Sequence, residues 1–123
     1  MAKPNKTSIP AERLALYDAL IATVPQAERK GAAMAYTSLN GHMVSYMNET
    51  GVLALKLPPG AREEFLQRFD ARLQEAYGIV QKDYVRVPDA VLADTAVLAP
   101  YFLTSWRHTE GLKPKPTKKR RPG

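Results

Sequence analysis

Apolar and polar residues alternate with a period of two between residues 33 and 57, a pattern that predicts three short strands. Asn40-Gly41 separates the first two apolar runs, and this dipeptide tolerates the positive φ angles of a two-residue hairpin turn. The polar segment Asn48-Glu49-Thr50-Gly51 predicts the second turn. The third run places three leucines on one face: Leu53, Leu55 and Leu57. A meander with one apolar face needs helices to cover it.

Helical spacing predicts one helix before this meander and one after it. The first has Pro10 in its first turn and ends at Pro25. Its apolar stripe is formed by Leu14, Tyr17, Leu20, Ile21 and Val24. The second is predicted over residues 61–77, with Gln74 on its solvent side and Gly78 just after its end. Its stripe is formed by Phe65, Leu66, Phe69, Leu73 and Tyr77.

The last third of the chain predicts one strand and one further helix. Residues 82–87 alternate as a strand does, and Ile79-Val80 are candidates to extend it. A helical turn is expected over residues 88–92. The final helix has Asp94 as its N-cap and ends at Gly111. Its inward residues are predicted to be Val97, Leu98, Phe102, Leu103 and Trp106, with Trp106 largely buried.

The predicted order α-β-β-β-α-β-α is typical of an α+β domain with two layers, an antiparallel-rich sheet covered by helices. At 123 residues the chain is expected to form one domain, residues 9–112. A flexible arm, residues 1–8, precedes it, and a basic tail, residues 113–123, follows it. No apolar run approaches the roughly 20 residues that span a bilayer, so no membrane contact is expected.

The net charge of +6 comes from the basic tail. The tail holds six of the 18 basic residues and none of the 12 acidic ones, so residues 1–112 carry 12 of each and are neutral. Its basic residues are Lys113, Lys115, Lys118, Lys119, Arg120 and Arg121. We expect these residues to bind nucleic acid weakly and without sequence preference. The alternative is that the charge only keeps the chain in solution.

Residues that carry chemistry are sparse. The chain has no cysteine, which excludes disulfides, thiolate nucleophiles and Cys-ligated zinc and is compatible with a cytoplasmic location. The two histidines, His42 and His108, are too few and too far apart to predict a metal site. Glu63 and Glu64 are neighbours on a predicted helix, so their carboxylates point apart. We therefore predict no catalytic residue, no metal and no cofactor.

Aromatic residues and methionines of the meander suggest a binding face. Tyr36, His42 and Tyr46 are its candidate residues, with Met43 and Met47 beside them. Aromatics are also common in half-buried strands, so the structural role is the favoured interpretation of these side chains. A second candidate is a small basic patch, formed by Lys82, Arg86 and Arg107, for which we expect ordinary solvation.

The order of these segments resembles the N-terminal domain of TfoX/Sxy-type proteins over roughly residues 10–116. The resemblance rests on Leu39-Asn40-Gly41-His42-Met43, on the segment 51–58, on Lys82-Asp83-Tyr84-Val85-Arg86-Val87-Pro88, and on the last helix running into Lys113-Pro114-Lys115-Pro116. It implies a two-layer α/β fold akin to secretion-chaperone-like domains and a link to transcription regulation. It brings no catalytic residue with it.

Two functional hypotheses follow from the sequence. The first is a non-enzymatic cytoplasmic adaptor that binds a protein partner, with homodimerisation as one form of partnership, and whose tail adds electrostatic contacts. The second is a small-molecule-binding protein or enzyme whose pocket lies between sheet and helices and uses Tyr36, His42 or Tyr46. A deep polar pocket favours the second hypothesis, and an exposed apolar patch favours the first.

Overall fold

The computed structural model describes residues 9–31, 34–76 and 78–113. The described elements run, in chain order, α1 (Ala11–Ile21), β1 (Ala35–Leu39), β2 (His42–Met47), β3 (Leu53–Lys56), α2 (Pro59–Arg68), β4 (Arg72–Ala76), β5 (Ile79–Arg86), α3 (Asp89–Leu92) and α4 (Thr95–Glu110). This confirms the predicted α+β class and the predicted order of elements, to which the structure adds β4. The helical turn expected over residues 88–92 is α3. Pro10 is the N-cap of α1, and not a residue of its first turn as predicted. The predicted arm lies outside the described residues.

The strands form one antiparallel sheet in the order β1-β2-β3-β5-β4. The turn between β1 and β2 is the predicted two-residue hairpin, because Asn40 and Gly41 have φ angles of 55° and 80°. The turn between β2 and β3 is closed by the Asn48 carboxamide, whose Oδ1 accepts hydrogen bonds from the backbone N–H groups of Thr50 and Val52, both at 3.0 Å. Local turn chemistry therefore sets the register of the meander.

The helices pack on one face of this sheet, here called the covered face. Leu53, Leu55 and Leu57 point into the core that the helices close, as the alternation predicted. They meet Phe65 of α2 and Phe102 of α4, both fully buried. Trp106 is 4% exposed, which confirms its predicted burial. The opposite side, here called the open face, carries the alternate residues of each strand.

The second helix is shorter than predicted. It ends at Arg68, because Asp70 adopts a left-handed conformation with φ of 49°. The N–H of Ala71 bonds to the carbonyl of Leu66 at 2.9 Å, and that of Asp70 bonds to Gln67 at 3.4 Å. These paired bonds form a Schellman motif, which satisfies the last carbonyls of the helix and redirects the chain. The prediction of a helix to residue 77 was therefore wrong, and residues 72–76 form β4 instead.

Strand β5 contains an irregularity that bends the β4–β5 hairpin. Leu73 pairs with Val85, whereas the next residue of β4, Gln74, pairs with Gln81. Of the intervening residues of β5, Tyr84 pairs with the other neighbour, where it lies opposite Lys56 of β3. The end of the hairpin is consequently free to curl over the open face. Gly78 belongs to its turn, with φ of 76°, and is not the helix-ending residue that was predicted. The extension of the strand to Ile79 is confirmed.

Helix α4 follows the prediction with one exception. Asp94 caps it, its carboxylate accepting from the N–H of Val97 at 3.3 Å, and Gly111 ends it. Leu103 was expected to point inward, but 41% of its surface is exposed, because it lines an open cleft between α4 and residues 23–26. Among the described helices, none combines the length and apolar character needed to cross a membrane.

Candidate functional site

A cleft of about 470 Å³ lies on the open face, under the curled end of the β4–β5 hairpin. We call it the sheet cleft. One wall is Gln74, Glu75 and Ala76 of β4, and the other is the β2–β3 turn over residues 48–50. The described residues that complete its lining are Met34, Met43, Tyr46 and Gln81. The second functional hypothesis expected a pocket between sheet and helices, but the sheet cleft lies on the other side of the sheet.

The floor of the sheet cleft is a network of two carboxamides joined by one phenol. The hydroxyl of Tyr46 donates a short hydrogen bond to Oε1 of Gln81. The side chain of Gln74 also interacts with the Tyr46 hydroxyl and partly opposes the rise in its pKa that burial causes. Burial raises the pKa of Tyr46, so its hydroxyl stays protonated and keeps its donor role at neutral pH. The bond to Gln81 spans from β2 to β5 across β3, which shows how strongly the sheet curls.

Gln74 carries an unsatisfied acceptor at this floor. Its side chain is only 3% exposed, and its Oε1 has no hydrogen-bond partner among the described residues. A buried carbonyl without a donor costs about 1–3 kcal/mol, so such atoms are uncommon in native proteins. Gln74 also lines the sheet cleft, and its buried oxygen becomes available to a ligand N–H or O–H group if the side chain turns towards the cleft.

The walls above this floor are mostly apolar. Met34, Met43 and Ala76 line the sheet cleft. Ile79 lies directly opposite Ala76 in the hairpin, so the two side chains share the face that looks towards the cleft. Ile79 is 68% exposed, more than any other large apolar residue that the structure describes. The site therefore combines a polar floor with an apolar rim, which is the usual composition of a binding site.

Charge at the rim is acidic. Glu49 of the β2–β3 turn and Glu75 of β4 line the sheet cleft, and both are exposed. None of the described residues that line it is Lys, Arg or His. Electrostatics therefore favours a ligand group that is cationic or rich in N–H donors over an anionic one.

A cationic region lies further along the same open face. Arg72 of β4 pairs directly with Arg86 of β5. Arg86 also pairs with Ala54 of β3, and Lys56 is the next residue of β3 on the same face. Of the predicted basic patch, Lys82 and Arg86 are both in β5 and are exposed, whereas Arg107 lies on α4. The three residues of the predicted patch therefore do not lie on one element. The residue that lies beside Arg86 is Arg72.

The structure places the three predicted binding-face residues differently from one another. Tyr46 lies in the floor of the sheet cleft. Tyr36 is directly opposite Tyr46 in the sheet and is half-buried. His42 lies at the start of β2, where its Nε2 is 2.8 Å from the carbonyl oxygen of Lys113. Of the two methionines, Met43 lines the cleft and Met47 is fully buried in the core.

The predicted nucleic-acid contacts fall almost wholly beyond the part of the chain that the structure describes. Lys113 is described and is exposed. The others, Lys115, Lys118, Lys119, Arg120 and Arg121, lie outside the described residues. The basic tail therefore stays a prediction.

A second, smaller cleft of about 350 Å³ lies between the segment after α1 and the last turns of α4. Trp106 lines it together with Gln26, Arg107 and Glu110. The indole Nε1 of Trp106 is buried and has no hydrogen-bond partner among the described residues. Arg107 and Glu110 bring opposite charges to this cleft, so it does not select a ligand by charge as the sheet cleft does.

Gln74 is the residue that sequence reasoning missed. It was placed on the solvent side of a helix, because residues 72–76 contain only good helix formers. The available signals were Asp70, a residue type that tolerates a left-handed conformation, and the Gly78 that follows. Together they indicate a helix end and a hairpin turn around a short strand.

No family model, curated protein or solved structure matches this chain. In residues 9–31, 34–76 and 78–113, no three His, Cys, Asp or Glu side chains lie close enough together to hold a metal ion. The site is therefore interpreted from its own geometry.

Proposed function

We propose that this chain is a non-enzymatic binding protein that captures a segment of a partner protein in the sheet cleft. The observation that carries the proposal is the exposed apolar rim over a polar floor. Ile79 at the hairpin end is 68% exposed, and Met34, which lines the cleft, is 37% exposed. Clustered apolar residues at the surface are typical of interaction sites.

The test begins with peptides selected against the full chain from a random 12-residue library. Their dissociation constants are measured by fluorescence anisotropy for the parent and for two variants. Ile79→Ser removes the apolar rim, and burial of one such side chain is worth about 1.5–3 kcal/mol, so we expect Kd to rise about tenfold or more. Leu103→Ser is the matched control, because Leu103 is an exposed apolar residue of α4, on the other side of the sheet.

The two variants separate the proposal from non-specific attraction. If Leu103→Ser weakens binding as much as Ile79→Ser, the peptides bind any exposed apolar residue and the proposal is wrong. It is equally wrong if the library yields no peptide that depends on the sheet cleft.

A small-molecule ligand is the second candidate. The volume of about 470 Å³ is within the roughly 300–1,000 Å³ of small-molecule sites, and the free Oε1 of Gln74 offers a specific contact. A screen of fragments by NMR tests this function. It gains support if amine- or amide-bearing fragments shift the Gln74 and Gln81 signals and displace a selected peptide.

We further propose, from the resemblance to TfoX/Sxy N-terminal domains, that the partner acts in transcription control. The contribution of the basic tail is then electrostatic and independent of the sheet cleft. Chromatin or promoter association of the full chain in its native cell, lost on Ile79→Ser, is the result that this proposal expects. Association that survives Ile79→Ser but not deletion of the tail would contradict it.

A further inference from the structure

The two edges of the sheet are not equivalent. At the β1 edge, the backbone of Lys30 already pairs with Tyr36, through N–H to carbonyl bonds of 2.8 and 3.0 Å in the two directions. At the other edge, β4 pairs with β5 on its inner side, and no described residue pairs with its outer side. Unpaired backbone groups at an edge strand are a template for another strand.

The outer edge of β4 also faces the sheet cleft. Alternate residues of a strand point to opposite sides, so side chains alone would bring only every second residue of β4 to the cleft. Yet Gln74, Glu75 and Ala76 line it consecutively. The backbone of β4 therefore forms part of the wall, and a chain lying in the sheet cleft runs alongside it.

We propose that the captured partner segment binds as a sixth strand along the outer edge of β4 and places a side-chain N–H donor against Oε1 of Gln74. This inference rests on the proposed function and adds its mode and its chemistry. Backbone hydrogen bonds to β4 supply affinity without regard to sequence, and the pocket at the floor supplies selectivity, as in other cases of strand addition.

The donor is argued from the floor and the rim together. Oε1 of Gln74 is a buried acceptor without a partner among the described residues, so a hydrogen atom brought by the ligand removes its desolvation cost. Glu49 and Glu75 add negative charge nearby. A lysine or arginine side chain of the partner satisfies both requirements, because it combines an apolar stem with a cationic donor.

An N-methylation scan of a selected peptide tests the strand. In a strand added to one edge, only every second N–H points at β4, so methylation at alternate positions should raise Kd about tenfold and methylation between them should leave Kd nearly unchanged. Binding should also slow hydrogen exchange at every second amide of β4. The protein itself is unaltered in this experiment, so misfolding cannot mimic the result.

A double-mutant cycle tests the donor. The lysine or arginine of the peptide is replaced by norleucine, and binding is measured to the parent and to Gln74→Met. The replacement should weaken binding to the parent about tenfold and should have little further effect on Gln74→Met. Glu63→Gln, outside the cleft on α2, is the control for general charge effects.

The outcomes separate the inference from the function on which it rests. If no selected peptide depends on Ile79, the proposed function is wrong and the inference falls with it. If peptides depend on Ile79 but tolerate N-methylation at every position, or lose affinity with a period of three to four residues, strand addition is wrong and the proposed function stands. Equal effects of norleucine on the parent and on Gln74→Met would overturn the assignment of the donor.

Discussion

The two faces of the sheet treat their buried polar groups in opposite ways. On the covered face, the Ser45 hydroxyl lies 2.6 Å from the Tyr17 hydroxyl and 2.6 Å from that of Thr37, and all three residues are fully buried. Each hydroxyl in this cluster has a partner. On the open face, the network of Tyr46 ends in Gln74, whose Oε1 has none among the described residues. One network is complete within the fold, and the other leaves one buried acceptor without a partner among the described residues.

This difference suggests how to distinguish buried polar groups that stabilise the fold from those that bind a ligand. A satisfied buried network holds elements in register and costs stability when one member is removed. An unsatisfied group beside a cleft costs stability while it is present, which makes it a candidate for a role outside folding. The contrast is not absolute, because Nε1 of Trp106 is also unpartnered among the described residues of the helical layer. That atom belongs to a residue that lines the second cleft, where Arg107 and Glu110 carry opposite charges.

The largest expected effect tests the helical layer that closes the covered face. Trp106→Ala should lower the free energy of unfolding by about 3–5 kcal/mol, because it leaves a large cavity in the core. Trp106→Phe keeps most of the apolar contact and removes the unpartnered donor, so its cost should be under about 2 kcal/mol. Urea unfolding measures both. If the two variants lose the same free energy of unfolding, the indole N–H makes a structural contact. That result would weaken the comparison of the two faces.

Alkaline pH tests one buried or half-buried tyrosine on each face of the sheet. Burial raises the pKa of Tyr17 from 10.0 to about 12 and does the same to Tyr84 of the open face, whose hydroxyl donates to the carbonyl of Met43 at 2.8 Å. The folded state then keeps a proton that the unfolded state loses. The resulting stability is complete below about pH 10 and is lost as pH rises towards 12. The loss is on the order of 3 kcal/mol for the fully buried Tyr17 and smaller for Tyr84, which solvent partly screens.

The measurement is urea unfolding between pH 8 and 11.5. Tyr17→Phe should flatten the pH dependence although it lowers stability at pH 8, since Ser45 loses a partner. Tyr84→Phe should flatten the dependence with a smaller cost at pH 8, because Tyr84 is only half-buried. A pH profile that neither variant changes would show that other groups control alkaline unfolding.

The β1–β2 hairpin supports both faces, so a change in its turn should not distinguish them. Gly41→Val forces a β-branched residue into a φ of 80° and should cost about 1–2 kcal/mol. Peptide affinity, measured under conditions where the variant is folded, should be unchanged. Gly60→Ala is the control, because Gly60 lies in α2 with open space around its Cβ position, and a neutral or stabilising effect is expected.

The smallest effect concerns charge outside the sheet cleft. A truncation after Leu112 removes the basic tail and should abolish weak binding of fluorescent duplex DNA at low salt. For the full chain, binding should fall steeply as salt is raised. Undiminished binding by the truncated chain would place the relevant charge on the open face, at Lys56, Arg72 and Arg86.

Local signals explain what the sequence could predict. The Asn40-Gly41 turn, the alternation of Leu53 to Leu57 and the Asp94 cap each depend on a few neighbouring residues, and each is confirmed. Burial of Trp106 follows from helical spacing alone. The α+β class follows from the order of such elements.

The candidate site depends on contacts that no local pattern encodes. Residues 72–76 have helix-forming side chains, but pairing with β5 makes them a strand. The cleft exists because the pairing of β4 with β5 is interrupted at Tyr84, which lies opposite Lys56 of β3. This interruption lets the end of the hairpin curl. Tyr46 was a predicted binding residue. The role of Gln74 could not be predicted from the sequence, because it depends on the curl that brings this side chain to the Tyr46 hydroxyl.

The most direct test compares one residue from each network, Ser45→Ala and Gln74→Met, in both unfolding free energy and affinity for a selected peptide. Ser45→Ala should cost about 1–3 kcal/mol of stability and leave Kd unchanged, because it leaves the Tyr17 and Thr37 hydroxyls of the covered face without their shared partner. Gln74→Met should change stability by less than about 1 kcal/mol and raise Kd about tenfold. If Gln74→Met instead loses as much stability as Ser45→Ala and binds the peptide normally, the open-face network is structural and the sheet cleft is not the binding site.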